Sequence, residues 1–229
     1  MLTTNALRVS YGLSEVIHGI SFSVGSNETV AIMGRNGMGK TTLFKSLIGV
    51  LPISGGDIQL EGESLRGRQP YQRVARGIAY VPQGRMVFPT LTVEENIKTG
   101  LEATGRKQIP EDIYALFPVL YDMRHRKAGN LSGGQQQQMA IGRALAADPR
   151  VLLLDEPTEG IQPSIIKQLA RTLNEIKQLR KLSIVVSEQV LSFATAVADR
   201  MLVIDKGQIV HEAQGEAIDA AHISRYLSV

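Results

Sequence analysis

Gly34-Arg35-Asn36-Gly37-Met38-Gly39-Lys40-Thr41 is a glycine-rich stretch that ends in Lys and Thr and lies between an apolar run and a helix-forming run. Val30-Ala31-Ile32-Met33 reads as a buried strand, and Thr42 to Ile48 reads as a helix with Gly49 as its stop. Glycines let the backbone curl until successive N–H groups point inward and form an anion-binding nest. The helix start adds its partial positive charge. Lys40 can then reach the β- and γ-phosphates of a nucleoside triphosphate, and Thr41 can ligate Mg²⁺. The loop by itself says only nucleoside triphosphate, since kinases, GTPases and motor ATPases share it.

Two further motifs narrow that class. Val151-Leu152-Leu153-Leu154-Asp155-Glu156 reads as a buried strand from whose C-terminal end Asp155 emerges, the edge where open α/β sheets hold ligands. Asp155 can hold Mg²⁺ directly or through water, and Glu156 is placed to accept a proton from an attacking water. Leu131-Ser132-Gly133-Gly134-Gln135 opens an amphipathic run to Ala147. Ser132 is a good N-cap and the glycines leave backbone N–H groups open, which makes a second anion site.

The remaining pattern expects an α/β chain. Leu7–Ser10, Ile20–Val24 and Asp57–Leu60 alternate like half-buried antiparallel strands, whereas Val30–Met33, Ile78–Val81, Val151–Leu154, Leu182–Val186 and Met201–Ile204 read as central strands buried on both faces. Lys206-Gly207 reads as a hairpin turn. From about Phe88 to Ala147 no strand is expected; Thr92 with Glu95 forms a capping-box pattern, and Pro110 and Pro118 punctuate further helical pieces. The expected division is therefore 1–87 and 148–229 as the α/β core and 88–147 as an inserted helical lobe. Pro163–Arg180 reads as an amphipathic helix with Ile166, Leu169, Leu173, Ile176 and Leu179 on its core face.

The 229 residues suffice for a substantial core, and 43% hydrophobic with 21% charged residues is the balance of a soluble globular protein. Net charge +3, without a Lys/Arg stripe interleaved with aromatics, argues against a nucleic-acid partner; Arg66, Arg68, Arg73 and Arg76 read as a solvated face. The absence of cysteine excludes disulfides and thiol chemistry and fits the cytosol. No apolar run approaches the roughly 20 residues of a spanning helix, and Met1–Asn5 lacks signal-peptide character.

With these motifs in place the chain resembles, over essentially its whole length, the ATP-binding cassette ATPases of ABC transporters. The resemblance implies a P-loop NTPase (RecA-like) core, an antiparallel β subdomain and an inserted α-helical subdomain. Gly34 to Thr41 matches the Walker A loop, so Gly34, Arg35, Asn36, Gly37, Met38, Gly39, Lys40 and Thr41, continuing into Thr42, are the implied nucleotide contacts. Val151 to Asp155 matches Walker B, with Glu156 as the catalytic base. Leu131, Ser132, Gly133, Gly134 and Gln135 match the signature motif, which in this family closes on the ATP held by a partner cassette. Gln83 resembles the Q-loop glutamine that contacts Mg²⁺ and the attacking water, and Tyr11 resembles the aromatic that stacks on adenine. Catalytic roles thus fall on Glu156, Gln83, Gln189 and Lys40, metal contacts on Thr41, Gln83 and Asp155, and the implied cofactors are ATP and Mg²⁺. Gln189 stands where the family usually has a γ-phosphate-contacting histidine, and the loop Pro157–Pro163 lacks the usual aspartate; slower or less tightly coupled hydrolysis would follow. His18, His125, His211 and His222 lie elsewhere and receive no catalytic role.

The stretch Gln83–Asn96 resembles the ATPase subunits of branched-chain amino acid and urea or amide importers. Glu159–Ser164 followed by Ile165-Ile166, and Gly34–Gly37, look most similar to the urea-type subunit. That resemblance implies transmembrane permease subunits as partners, a second ATPase chain with a heterodimer as the default, an indirect link to a periplasmic solute-binding protein, and a peripheral place on the cytoplasmic face of the membrane. Arg85–Phe88 is the candidate contact for the permease. Two other readings stand beside this one. A soluble ABC ATPase acting on DNA or the ribosome would need a long coiled-coil insertion or a second cassette, and neither is present; a weakly hydrolysing regulatory module is motivated by Gln189 and opposed by Glu156.

Overall fold

A computed structural model describes residues 1–227; Ser228 and Val229, the end of the second expected core segment, lie outside it. In chain order the strands are β1 (Leu2–Tyr11), β2 (Ser14–Val24), β3 (Thr29–Met33), β4 (Gly55–Leu60), β5 (Glu63–Ser64), β6 (Ile78–Val81), β7 (Val151–Asp155), β8 (Ser183–Glu188), β9 (Arg200–Asp205) and β10 (Gln208–Gln214). The helices are α1 (Lys40–Ile48), α2 (Pro70–Ala75), α3 (Val93–Lys98), α4 (Glu111–Leu116), α5 (Pro118–Asp122), α6 (Gly133–Ala146), α7 (Pro163–Arg180), α8 (Leu191–Val197) and α9 (Ala220–Leu227). A six-stranded sheet runs β10-β9-β3-β8-β7-β6, parallel except for β10, and an antiparallel four-stranded sheet runs β2-β1-β4-β5.

The continuous apolar runs follow from two cores on opposite faces of the large sheet. Successive strand side chains point to opposite faces. Val30, Ile32, Val151, Leu153, Val185, Leu202 and Ile204 accordingly pack with α1 and the small sheet. Ala31, Met33, Leu152, Leu154, Ile184, Val186, Met201 and Val203 pack on the other side with α6, α7, α8 and residues of 93–131. Both faces of these strands therefore gain from leaving water, at about 1.5–3 kcal/mol for each large apolar side chain. The small sheet buries one face, and there the sequence alternates: Leu7 and Val9 are buried while Arg8 is exposed. The Lys206-Gly207 turn has φ values of 44° and 74°, the left-handed pair of a type I′ hairpin.

Three sequence expectations are corrected. Ile78–Val81 forms an edge strand, not a central one, because β6 pairs only with β7; its apolar character comes from helices on its faces, not from strands on both sides. Leu179 is 61% exposed, and in the last turn of α7 the inward place is taken by Arg180, whose side chain is 11% exposed and donates to Asp112 and to the Leu145 carbonyl, while Leu169, Leu173 and Ile176 are buried and Ile166 is half-buried. Arg73 is no part of a solvated face: it is buried and donates to the carbonyls of Ser46 (2.8 Å), Leu47 (2.9 Å), Leu65 (3.0 Å) and Arg68 (3.1 Å). Ser46 and Leu47 lie in the last turn of α1, whose carbonyls carry partial negative charge; the Ser46 carbonyl also accepts from the capping Gly49 N–H at 3.1 Å. Arg73 thus fixes the far end of the helix that begins at Lys40. Arg73→Ala is expected to lower the unfolding free energy by about 2–4 kcal/mol, read as a lower urea midpoint at unchanged slope; an unchanged midpoint would deny Arg73 that role.

Candidate nucleotide site

The candidate phosphate loop connects β3 to α1 at the C-terminal edge of the large sheet. Gly39 sits at φ 103° immediately before the first helical residue, a conformation side-chain-bearing residues rarely adopt. An added Cβ there would also stand 2.9 Å from Ile17 Cδ1. The β9–β10 hairpin braces the loop from behind, with Gly207 N–H donating to the Met38 carbonyl at 3.1 Å. Lys40 opens α1 and folds back into the loop, where its Nζ donates to the carbonyls of Gly34 (2.7 Å) and Arg35 (3.0 Å).

The acidic pair comes from the end of β7. Glu156 Oε1 lies 3.0 Å from Lys40 Nζ, and the two side chains are 9% and 3% exposed. Gln83, after β6, donates through Nε2 to Glu156 Oε2 at 3.4 Å. Gln189, after β8, donates through Nε2 to Glu156 Oε1 at 3.0 Å and to Asn36 Oδ1 at 2.7 Å. Glu156 itself has left-handed backbone (φ 47°), anchored where its N–H donates to Ser187 Oγ at 3.0 Å. Three segments distant in sequence thus converge on one carboxylate.

Asp155 is buried and accepts from Ser187 Oγ at 2.6 Å, from Tyr80 OH at 3.1 Å, and from Thr41. Burial pushes its pKa above the usual carboxylate range, the hydrogen bonds from Ser187, Thr41 and Tyr80 oppose that, and the charge of Glu156 adds to it. Burial and the neighbouring Asp155 push the Tyr80 phenol up as well. The Thr41 hydroxyl and the Asp155 carboxylate are hard oxygen donors brought together at the loop, a set that suits Mg²⁺. Among the described residues no group of three or more His, Cys, Asp or Glu could hold a metal by itself. Mg²⁺ characteristically takes one or two carboxylates and completes its shell with water and substrate phosphates.

A cleft of ≈190 Å³ lies over these groups, lined by Val16, Asn36, Gly37, Gly39, Lys40, Thr41, Thr42, Gln83 and Glu156. Its size and polar lining suit phosphates; the half-exposed Tyr11, whose hydroxyl is 3.5 Å from Thr42 Oγ1, stands beside it with its ring free to meet a base. A larger cleft of ≈520 Å³ lies at the opposite strand ends, around Arg76, Gly77 and Arg150. Its charges are already matched by the pairs Arg76–Glu63, Arg150–Glu61 and Arg106–Asp148.

Leu131–Gln135 is not brought to the phosphate loop of its own chain, and none of the five residues lines that cleft. Ser132 caps α6 reciprocally: Gln135 N–H donates to Ser132 Oγ at 3.4 Å and Ser132 N–H donates to Gln135 Oε1 at 3.0 Å. The first N–H groups of α6 have no intrahelical acceptor. None of the four histidines lines the cleft.

Ser187, Tyr80 and Glu188 are functional neighbours that the sequence reading missed. Ser187 pairs with Asp155 in the β7–β8 register, a signal available only once the strand order is known. Buried Glu188 accepts from Thr158 N–H (3.1 Å), Thr158 Oγ1 (2.6 Å), Gln189 N–H (2.9 Å) and Val190 N–H (3.1 Å). Burial raises its pKa and those bonds oppose the rise. It ties the Gln189 segment to the loop that follows Glu156.

The family described as ABC transporter matches residues 17–159. The high-affinity branched-chain amino acid transport ATP-binding protein BraG of Pseudomonas aeruginosa is 38% identical over 221 residues, covering 95% of this chain and 94% of that protein. The probable branched-chain amino acid transport ATP-binding protein LivF of Archaeoglobus fulgidus is 33% identical, covering 91% and 90%. The lipopolysaccharide export system ATP-binding protein LptB of Haemophilus influenzae is 30% identical, covering 95% and 92%. Among solved structures, a nucleotide-free ATP-binding cassette from an ABC transporter superposes with a TM-score of 0.84 at 28% identity, covering 100% of this chain and 95% of that one.

Proposed function

The chain belongs to the ABC transporter family of ATP-binding subunits, and from that premise we propose that it is the ATP-hydrolysing subunit of an importer for branched-chain amino acids or for urea and amides. The observation that carries the hydrolytic part is the convergence of Lys40, Gln83 and Gln189 on Glu156 at the mouth of the phosphate loop. Lys40 and the loop N–H groups hold the β- and γ-phosphates, and Tyr11 takes the adenine. Mg²⁺ held by Thr41 and Asp155, with Gln83 beside it, would offset phosphate charge. Glu156 accepts the proton of the attacking water while Gln83 and Gln189 orient the groups around it. Gln189 donates a hydrogen bond through its amide, as a neutral histidine would, and has no cationic form. Catalysis of this kind is positioning plus charge stabilisation.

The signature segment completes the site from a second cassette. Its anion-binding N–H groups at Ser132–Gly134 are absent from the cleft of their own chain, which supports a nucleotide shared between two copies. The importer reading makes the second cassette a related but different chain, with the pair seated on transmembrane permease subunits at the cytoplasmic face of the membrane. No helix among the described residues is long and apolar enough to cross a membrane itself. A periplasmic binding protein would deliver the solute on the far side.

The names BraG and LivF support branched-chain amino acids; the stretches Gly34–Gly37 and Glu159–Ile166 favour urea or amides. Purifying the complex with its binding protein and identifying the bound ligand separates them, and a lipid ligand in place of either would sink the importer reading. Met86 and Phe88, 69% and 48% exposed, present apolar surface beside Gln83. Phe88→Ala is expected to lower solute uptake by the reconstituted importer several-fold, within the range typical of one interface aromatic, while ATP affinity holds. Equal loss of both would remove this segment as the permease contact.

A further inference from the structure

Gln83 reaches Glu156 from a turn whose backbone is under strain. Arg85 N–H donates to the Pro82 carbonyl at 3.0 Å and Gly84 has φ 78°, the geometry of a type II turn that glycine supplies at its third position. The left-handed conformation continues through Arg85 (φ 66°) and Met86 (φ 43°). Left-handed backbone crowds each Cβ against a carbonyl, and consecutive non-glycine residues stay there only when their surroundings hold them. The Met86 side chain does not do so, since it is 69% exposed.

The restraint comes from α6. Arg143 Nη2 donates to the Arg85 carbonyl at 3.0 Å and to the Met86 carbonyl at 2.9 Å. Its guanidinium lies over the Phe88 ring, with Cζ 5.5 Å from the centroid. One terminal nitrogen therefore holds both strained peptides from the helix that begins at the signature segment. Arg85 itself reaches the other way, Nη2 donating to the Glu159 carbonyl at 2.5 Å in the loop after Glu156.

We infer that Arg143 is a positioning residue for ATP hydrolysis: it clamps the two left-handed carbonyls that follow Gln83 and thereby holds the Gln83 amide against Glu156. The inference rests on the reading of Glu156 as the base. Without the clamp Arg85 and Met86 relax toward φ below zero, and the turn that presents Gln83 opens. Among the described residues the hydrogen bonds of Arg143, Arg85 and Met86 do not go to the phosphate loop, so ATP capture is expected to be largely separate from this clamp. Because Arg143 rides on α6, a shift of the signature helix is felt at Gln83 through two hydrogen bonds.

The test is steady-state ATP hydrolysis by the assembled importer complex carrying this chain as Arg143→Met, Met86→Gly or the double variant, with thermal melting of each variant chain. Arg143→Met keeps the length of the side chain and removes its donors. It is expected to lower kcat about tenfold while KM for ATP stays within about twofold. Adding Met86→Gly, which adopts left-handed backbone without strain, is expected to recover most of the lost kcat. A purely structural role for Arg143 would lower the melting temperature and would not be rescued by glycine at 86. Wild-type kcat in Arg143→Met, or a double variant as slow as Arg143→Met, overturns the inference. If Arg143→Met does not fold, Arg143→Lys, a shorter charged donor, carries the same comparison with and without Met86→Gly. Glu156→Gln serves as the control: if it still turns over, the reading of the base fails and this inference with it. If it is inactive and glycine gives no rescue, the clamp alone is wrong.

Discussion

Glu156→Gln is expected to lower phosphate release by about 10²–10⁴-fold, the contribution of a positioned general base, while ATP binding is retained. Glutamine keeps the shape of the side chain and removes its proton-accepting carboxylate. The Glu156 carboxylate is paired with Lys40 at 3.0 Å, so an incoming γ-phosphate must compete with it for the same ammonium. Neutralising residue 156 removes that competitor, and affinity for ATP is expected to be equal to or tighter than that of the parent. With binding intact and the chemical step blocked, two cassettes closed on ATP have no route to reopen, and the dimer accumulates in a sizing experiment with ATP. Turnover near the parent rate would take Glu156 out of its role, and loss of ATP binding would show that the substitution had damaged the loop instead.

Much of this site was readable in the chain because its parts lie on local signals. Gly34 to Thr41 carries its own spacing, the run Val151–Leu154 announces a strand buried on both faces, and Ser132 with Gln135 marks a helix start. The two-sided burial is physical: Val30 and Ile32 face one core while Ala31 and Met33 face the other, so no polar residue interrupts the run Val30–Met33. What local patterns do not carry is pairing order. Ile78–Val81 looks as apolar as β3 yet sits at the sheet edge, because helices cover its faces. Ser187 and Tyr80 hold Asp155 only because β8 and β6 flank β7. Arg73 and Arg143 both defeat a reading by residue type. Each is a basic side chain whose partners are backbone carbonyls, and a carbonyl leaves no trace in sequence. Gln189 was found through family resemblance, and the structure then places its amide between Asn36 and Glu156.

Lys40→Ala is expected to produce the opposite phenotype to Glu156→Gln, and the pair of variants together isolates the contact between them. Charge-assisted hydrogen bonds contribute about 1.5–3 kcal/mol each, so loss of the ammonium alone should weaken ATP binding about 10²-fold or more. Lys40→Ala also removes the only cation paired with Glu156 among the described residues, in a place where that carboxylate is 9% exposed. Gln83 and Gln189 still donate to it, which offsets part of the penalty for a stranded charge. A loss of about 2–4 kcal/mol in nucleotide-free stability is expected. In the double variant Glu156→Gln removes the stranded charge, so stability should return toward that of Glu156→Gln alone although ATP binding remains lost. Stability is thus non-additive across the pair, as residues in contact require, whereas the loss of nucleotide affinity comes from Lys40→Ala and is not recovered by Glu156→Gln. Denaturant midpoints and nucleotide titrations of the four proteins measure both quantities. Additive midpoints would mean that the pair at 3.0 Å contributes nothing to the resting state. ATP would then have no internal competitor to displace when it enters.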